Sequence, residues 1–128
     1  MNARTYYVGL LDAIHVAPHI IASEIRFEDI DVNECYIRGV LTLLEGFTLH
    51  IAEYVVTEPV LTRIKYRYHL QNSTGQPVCR WDNVPHHPGI ATFPDHRHDG
   101  HGDVHPSPVM SIPDVLDAAL SFILPVSP

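Results

Sequence analysis

Apolar and polar residues alternate through the middle of this chain, and stretches with helical spacing flank that region on both sides. Tyr7, Leu10, Leu11 and Ile14 recur at the three-to-four-residue interval of an amphipathic helix, and Pro18 bends or ends it, so Ile20 and Ile21 begin a different element. From Glu24 to Asp31 the alternation puts Ile25 and Phe27 on one side. Cys35 to Leu44 does the same with Ile37, Leu41 and Leu43, and Glu45-Gly46 reads as a tight turn into Phe47 to Val56. The next strand alternates most clearly. Ile64, Tyr66, Tyr68 and Leu70 face one way, against a row of Arg63, Lys65, Arg67, His69 and Gln71. Residues 72 to 77 are turn formers, after which Val78 to Asn83 alternates again, opposing Cys79 and Trp81 to Arg80 and Asp82. Ser111 caps a closing helix with Pro113 in its first turn and a stripe of Val115, Leu116, Ala119, Leu120 and Ile123.

These elements predict an α+β fold, an antiparallel sheet of about five strands with an N-terminal and a C-terminal helix packed on one face. With 128 residues and 45% hydrophobic content the expectation is a single domain, interrupted by an irregular Pro/His-rich loop over residues 84–108. No apolar run approaches the roughly 20 residues of a membrane helix, and the N-terminus lacks a basic region leading into an apolar one, so the expectation is a soluble, cytoplasmic protein without a membrane partner. Cys35 and Cys79 fall inside strands, away from disulfide or metal-site spacings, as buried thiols in a reducing compartment do.

Charge changes the picture when it is divided along the chain. The net charge is −7, yet residues 63–105 hold four acids against Arg63, Lys65, Arg67, Arg80 and Arg97, together with seven of the ten histidines. Protonation of those imidazoles would carry that stretch from about +1 to about +8. It is the cationic half, suited to a polyanion or an anionic transition state.

Three groups of residues carry candidate chemistry. Continuing the alternation Leu49, Ile51, Glu53 aims a carboxylate at the buried side of its strand, where Arg67, Arg80 or His69 could meet it; the strand could equally have left the core by then. In Arg80-Trp81-Asp82-Asn83-Val84-Pro85-His86-His87-Pro88 a strand runs into a proline-stiffened turn. Arg80 can hold a phosphate or carboxylate there, Asp82 can orient an imidazole and Asn83 can donate to an oxyanion; the plain structural alternative is a local Arg80–Asp82 pair with Asn83 as turn former. Finally, if residues 96–98 are extended, His96 and His98 share one face and Arg97 takes the other. Two imidazoles on one face can join a third ligand such as Asp82, His86 or His87 around a transition metal, or can cleave RNA without metal, one taking and one giving a proton. No zinc spacing such as His-Glu-x-x-His is present, and neither a metal nor a cofactor is expected. His101 and His105 read as part of a polar linker.

The blocks Tyr66-Arg67-Tyr68-His69-Leu70-Gln71, Arg80 through Pro88, and Thr92-Phe93-Pro94-Asp95-His96-Arg97-His98 resemble the TumE family, toxin components of bacterial toxin-antitoxin pairs. The resemblance runs over most of the chain and implies a cytoplasmic protein neutralised by a cognate antitoxin that carries a DNA-binding helix-turn-helix domain. It supplies no catalytic residues. The chain departs from the family's pattern at His101 and His105 and in the two prolines of its last five residues, Pro125 and Pro128.

The expected function is a toxin acting on RNA as a metal-independent ribonuclease, since small bacterial toxins often attack RNA. His69, His86, His87, His96 and His98 are the candidate acid and base, with Arg80, Asp82 and Asn83 completing the site. Arg63, Lys65 and Arg67 would track phosphates. The alternatives are a non-catalytic module docking nucleic acid or a partner protein, and a metal-dependent hydrolase or metal-stabilised loop using the histidine cluster. A homo-oligomer is compatible with each.

Overall fold

The structure, a computed structural model, describes residues 1–124; Pro125 and Pro128 lie outside the described residues. Helix α1 (Ala3–Val16) starts at Asn2, whose side chain accepts a hydrogen bond from the Thr5 N–H at 2.8 Å. Strands β1 (Ile20–Asp31), β2 (Glu34–Leu43), β3 (Thr48–Val56), β4 (Thr62–Gln71), β5 (Pro77–Asp82), β6 (His96–Asp99) and β7 (Val104–Pro106) follow, and helix α2 (Ile112–Ile123) closes the chain. The strands form one antiparallel meander in sequence order. Short turns make this the simplest topology, because each strand pairs with its predecessor. At Glu45-Gly46 both residues have positive φ, 60° and 76°, the twist that joins β2 to β3 in a tight hairpin.

Both helices lie on one face. Leu10 and Ile14 of α1 and Ile112, Val115, Leu116, Ala119 and Ile123 of α2 close a core over Ile37, Leu41, Leu49, Ile51, Tyr66, Tyr68, Leu70, Cys79 and Trp81. Tyr7 stacks on Phe27 with ring centroids 4.5 Å apart, which ties α1 to β1. Ser111 caps α2 in a capping box with Asp114. Cys35 and Cys79 are buried, free thiols; burial pushes the Cys35 thiol up to about 11 and raises that of Cys79. Among the described residues no helix is long and apolar enough to cross a membrane.

The sheet has seven strands instead of about five. The two extra ones come from the segment expected to be an irregular loop: residues 84–95 are turns, but His96–Asp99 pairs with β5 and Val104–Pro106 pairs with β6. Neither shows apolar alternation: β6 is four polar and charged residues and β7 has only three residues. His105 accordingly sits on β7, its Nε2 2.7 Å from Asp99 Oδ2, and is not part of a linker.

A second departure concerns β4. The register pairs Tyr54 with Lys65 and Val55 with Arg63, leaving Ile64 as the extra residue of a bulge. One inserted residue exchanges the two faces beyond it. Ile64 is therefore 52% exposed, while Arg63 leaves the row formed by Lys65 and Arg67 and turns to the helix side. There it meets Glu53, which is buried: Arg63 Nε donates to Glu53 Oε2 at 3.2 Å, Tyr6 donates to Oε1 at 2.6 Å, and the Tyr68 hydroxyl donates to Oε2. The inward carboxylate is real, but its partners are Arg63 and two tyrosines, not Arg67, Arg80 or His69. Burial and the neighbouring carboxylate hold the Tyr6 and Tyr68 hydroxyls far above their ordinary range, in their donating form.

Candidate functional site

The face without helices carries the side chains that alternate with the core. Lys65, Arg67 and His69 on β4 stand beside Arg80 and Asp82 on β5, with Arg67 opposite Asp82 and His69 opposite Arg80. The fold-back of β6 then sets His96 opposite Asp82 and His98 opposite Arg80, while Arg97 points to the other face with Trp81. A pocket of about 200 Å³ opens between them, lined by Arg67, Arg80, Asp82, Val84, His86, His87, His96 and His98.

Hydrogen-bond bookkeeping assigns the donors. A carbonyl only accepts, so the 2.8 Å contact between His96 Nδ1 and the Pro94 carbonyl places a proton on Nδ1. An arginine only donates, so Arg80 Nη2, 2.9 Å from His98 Nε2, finds a lone pair there. His96 Nε2 lies 3.0 Å from Asp82 Oδ1, an acceptor open to it, and 3.1 Å from His98 Nε2, whose one lone pair faces Arg80. His96 Nε2 thus lies against the Asp82 carboxylate while its Nδ1 is held by the Pro94 carbonyl. Asp82 is held on three sides, since Arg80 Nε donates to Oδ2 at 3.1 Å and the Val84 N–H to Oδ1 at 3.0 Å. Burial first, then Arg80, lowers the pKa of His98, with Asp82 opposing and His96 and His87 adding to the effect, so its neutral form is favoured.

The other expected residues are distributed as follows. His87 joins the cluster, its ring centroid 4.9 Å from that of His96 and 5.5 Å from that of His98. His86 stands exposed at the rim of the pocket. His69 lies outside it, half-buried, with its pKa lowered by burial and then by Arg67, Arg80 and His50. Asn83 does not reach the pocket: its Oδ1 accepts from the Tyr66 N–H at 2.9 Å and its Nδ2 donates to the Ile64 carbonyl at 3.2 Å, so the amide anchors the bulged start of β4. Arg63 is engaged by Glu53 on the opposite face.

Two supporting residues escaped the sequence reading. Pro94 supplies the carbonyl that fixes the His96 ring, and Asp95 accepts from the Tyr66 hydroxyl at 2.8 Å, tying the 84–95 turns to the sheet. Only the nearness of both to His96 in sequence hinted at such a role.

His87, His96 and His98 each offer a nitrogen within 4.8 Å of the others, a spread that three ligands of one transition-metal ion can have. A metal would have to displace the Arg80 guanidinium, which holds the His98 lone pair and brings a fixed positive charge to the same spot.

Fold and pocket define a small α+β protein that presents an arginine, a buried carboxylate and three clustered imidazoles at the open face of a meander sheet. A family model described as Toxin TumE matches residues 10–124, most of the chain, and the protein belongs to this toxin family. A toxin of this kind implies a cognate antitoxin. No curated protein and no solved structure matches the chain.

Proposed function

We propose that this toxin cleaves RNA without a metal, by transfer of the phosphodiester to the neighbouring 2′-hydroxyl in the Arg80–His98 pocket. The observation that carries this reading is the position of Arg80, which links the Asp82 carboxylate to the unprotonated nitrogen of His98. A phosphate entering the pocket competes for that guanidinium, because Arg pairs with phosphate through charge-assisted bonds. As Arg80 turns to the phosphate, His98 Nε2 is released as a base. It takes the 2′-hydroxyl proton, O2′ bonds to phosphorus, the P–O5′ bond breaks, and His87 in its protonated form gives the departing O5′ its proton. The products are a 2′,3′-cyclic phosphate and a free 5′-hydroxyl. Arg80 and Arg67 face the charge that develops on the phosphoryl oxygens. Asp82 and His96 act as positioning residues, with His96 locked by the Pro94 carbonyl.

The same reading places the protein in the cytoplasm, its antitoxin carrying a helix-turn-helix domain. It is tested by incubating the purified toxin with total RNA in excess chelator. Cleavage is expected, and is expected to be lost in His98→Ala. Cleavage that appears only when zinc or manganese is supplied would instead assign the imidazole cluster to a metal, and the absence of any cleavage would favour a docking module.

A further inference from the structure

We propose that the concave groove next to the pocket is the track of a single RNA strand, held by Arg26, Arg38, Lys65 and Arg67; this rests on the ribonuclease reading and adds the path by which the substrate reaches it. The groove has a volume of about 1060 Å³ and lies on the helix-free face, crossing β1, β2, β3 and β4. It is continuous with the catalytic pocket, because Arg67 lines both.

Charge complementarity names the occupant. The chain as a whole is acidic, at −7, yet among the described residues the groove wall offers the cations Arg26, Arg38, Lys65 and Arg67, with Glu24 on the same wall and Glu28 and Glu34 bordering it beside Arg38 and Tyr54. Glu53 lies beneath the wall, but its charge is met on the opposite face by Arg63, Tyr6 and Tyr68. Arg26 and Arg38 stand opposite each other in register, two like charges whose mutual repulsion a bound polyanion would relieve. All four cations are exposed, and none has a carboxylate partner within ion-pair distance. Between them lie flat rings: Tyr36, over which Arg38 stacks at 5.1 Å, Tyr54, and the adjacent pair His50 and His69. Cations interleaved with flat rings are what a single strand needs, phosphates on the former and bases on the latter.

The dimensions favour a single strand over a duplex. From β1 to β5 there are four inter-strand steps of roughly 4.8 Å, about 19 Å in all. At about 3.4 Å per stacked nucleotide that accommodates on the order of five nucleotides. Recognition of double-stranded RNA reaches across two successive minor grooves over roughly 16 base pairs, more than this face spans.

The test uses the full chain and fluorescent 2′-O-methyl RNA oligomers of two and eight nucleotides, whose attacking hydroxyl is blocked. Wild type is expected to bind the eight-mer more tightly than the dimer. The double variant Arg26→Ala/Arg38→Ala, both exposed positions that leave the core untouched, is expected to bind the eight-mer about fivefold more weakly or worse and to lose most of that length preference. The slope of log affinity against log salt should shrink by about 1.4, twice the roughly 0.7 per neutralised phosphate of a single strand. Arg26→Lys/Arg38→Lys should retain the slope. An unchanged slope and length preference in the alanine variant, while wild type still binds and cleaves RNA, would overturn the groove proposal alone. If wild type binds neither oligomer, the ribonuclease reading falls with it. Loss of antitoxin binding with RNA affinity intact would make the groove a protein surface and overturn the proposal.

Discussion

Two carboxylates in this molecule are almost equally buried, Glu53 at 1% exposure and Asp82 at 3%, and they stand on opposite faces of the same sheet. Glu53 faces the helices. Its partners are two tyrosine hydroxyls and one guanidinium, and Tyr6 comes from α1 itself, so the network welds the helix to strands β3 and β4. Asp82 faces the open side. Its partners are an arginine, two imidazoles and one backbone amide, and the space in front of them is a pocket instead of a helix. Burial alone does not separate the two. We place the proposed chemistry beside Asp82 because its neighbours include groups that can exchange protons near neutrality and because a ligand can reach them.

The comparison breaks most visibly through Arg80→Ala, which should lower RNA cleavage by about 100-fold or more, in line with the loss of one transition-state donor; the variant also takes one donor from the buried Asp82 and so should melt somewhat lower, and cleavage is compared at a temperature where both proteins are folded. On the other face Glu53→Leu should cost about 3 kcal/mol of stability, measured by urea denaturation, because it leaves Arg63 and two tyrosine hydroxyls without their acceptor. Glu53→Gln, which still accepts from the tyrosines, should cost less. The acidic limb of the kcat/KM profile should fall below pH 6.5. The folded site lowers the pKa of His98, so this base keeps its lone pair into more acidic solution; Arg80→Ala should move the limb upward. The smallest effect is at Asp99, whose carboxyl is drawn down to about 2 by the hydrogen bond from His105 and by the His101 and Asp103 N–H groups. A depressed folded value means a contribution present above about pH 4 and lost as pH falls toward 2. Asp99→Asn should flatten that part of the stability profile without changing cleavage at neutral pH.

The part of the fold legible in the sequence is the part whose alternation is set by the core. The first five strands and both helices could be read from apolar spacing, and the Glu45-Gly46 turn from its residue types; for Glu53 the spacing left an inward and a solvated direction equally open. Strands β6 and β7, His-Arg-His-Asp and Val-His-Pro, could not, because they are only four and three residues long and, Val104 and Pro106 apart, made of polar and charged residues, so they carry no apolar alternation. The conditional placement of His96 and His98 on one face beside Asp82 held, since extended backbone forces it once β6 folds back. Arg63 was misplaced for a different reason. A strict period of two assumes an unbroken ladder, and the bulge at Ile64 breaks it. Asn83 showed another limit: a side-chain amide at a strand end can serve substrate or backbone equally, and only the geometry reveals that β4 has claimed it.

The central claim, that the Arg80–His98 pocket drives attack by a 2′-hydroxyl, is tested most directly with a DNA oligomer carrying one ribonucleotide, incubated with the toxin in chelator. The account predicts a single cut 3′ to that ribose, a 2′,3′-cyclic phosphate on the upstream fragment, and no cut with His98→Ala. Cleavage at deoxyribose positions, or products ending in a plain 3′-hydroxyl, would contradict it.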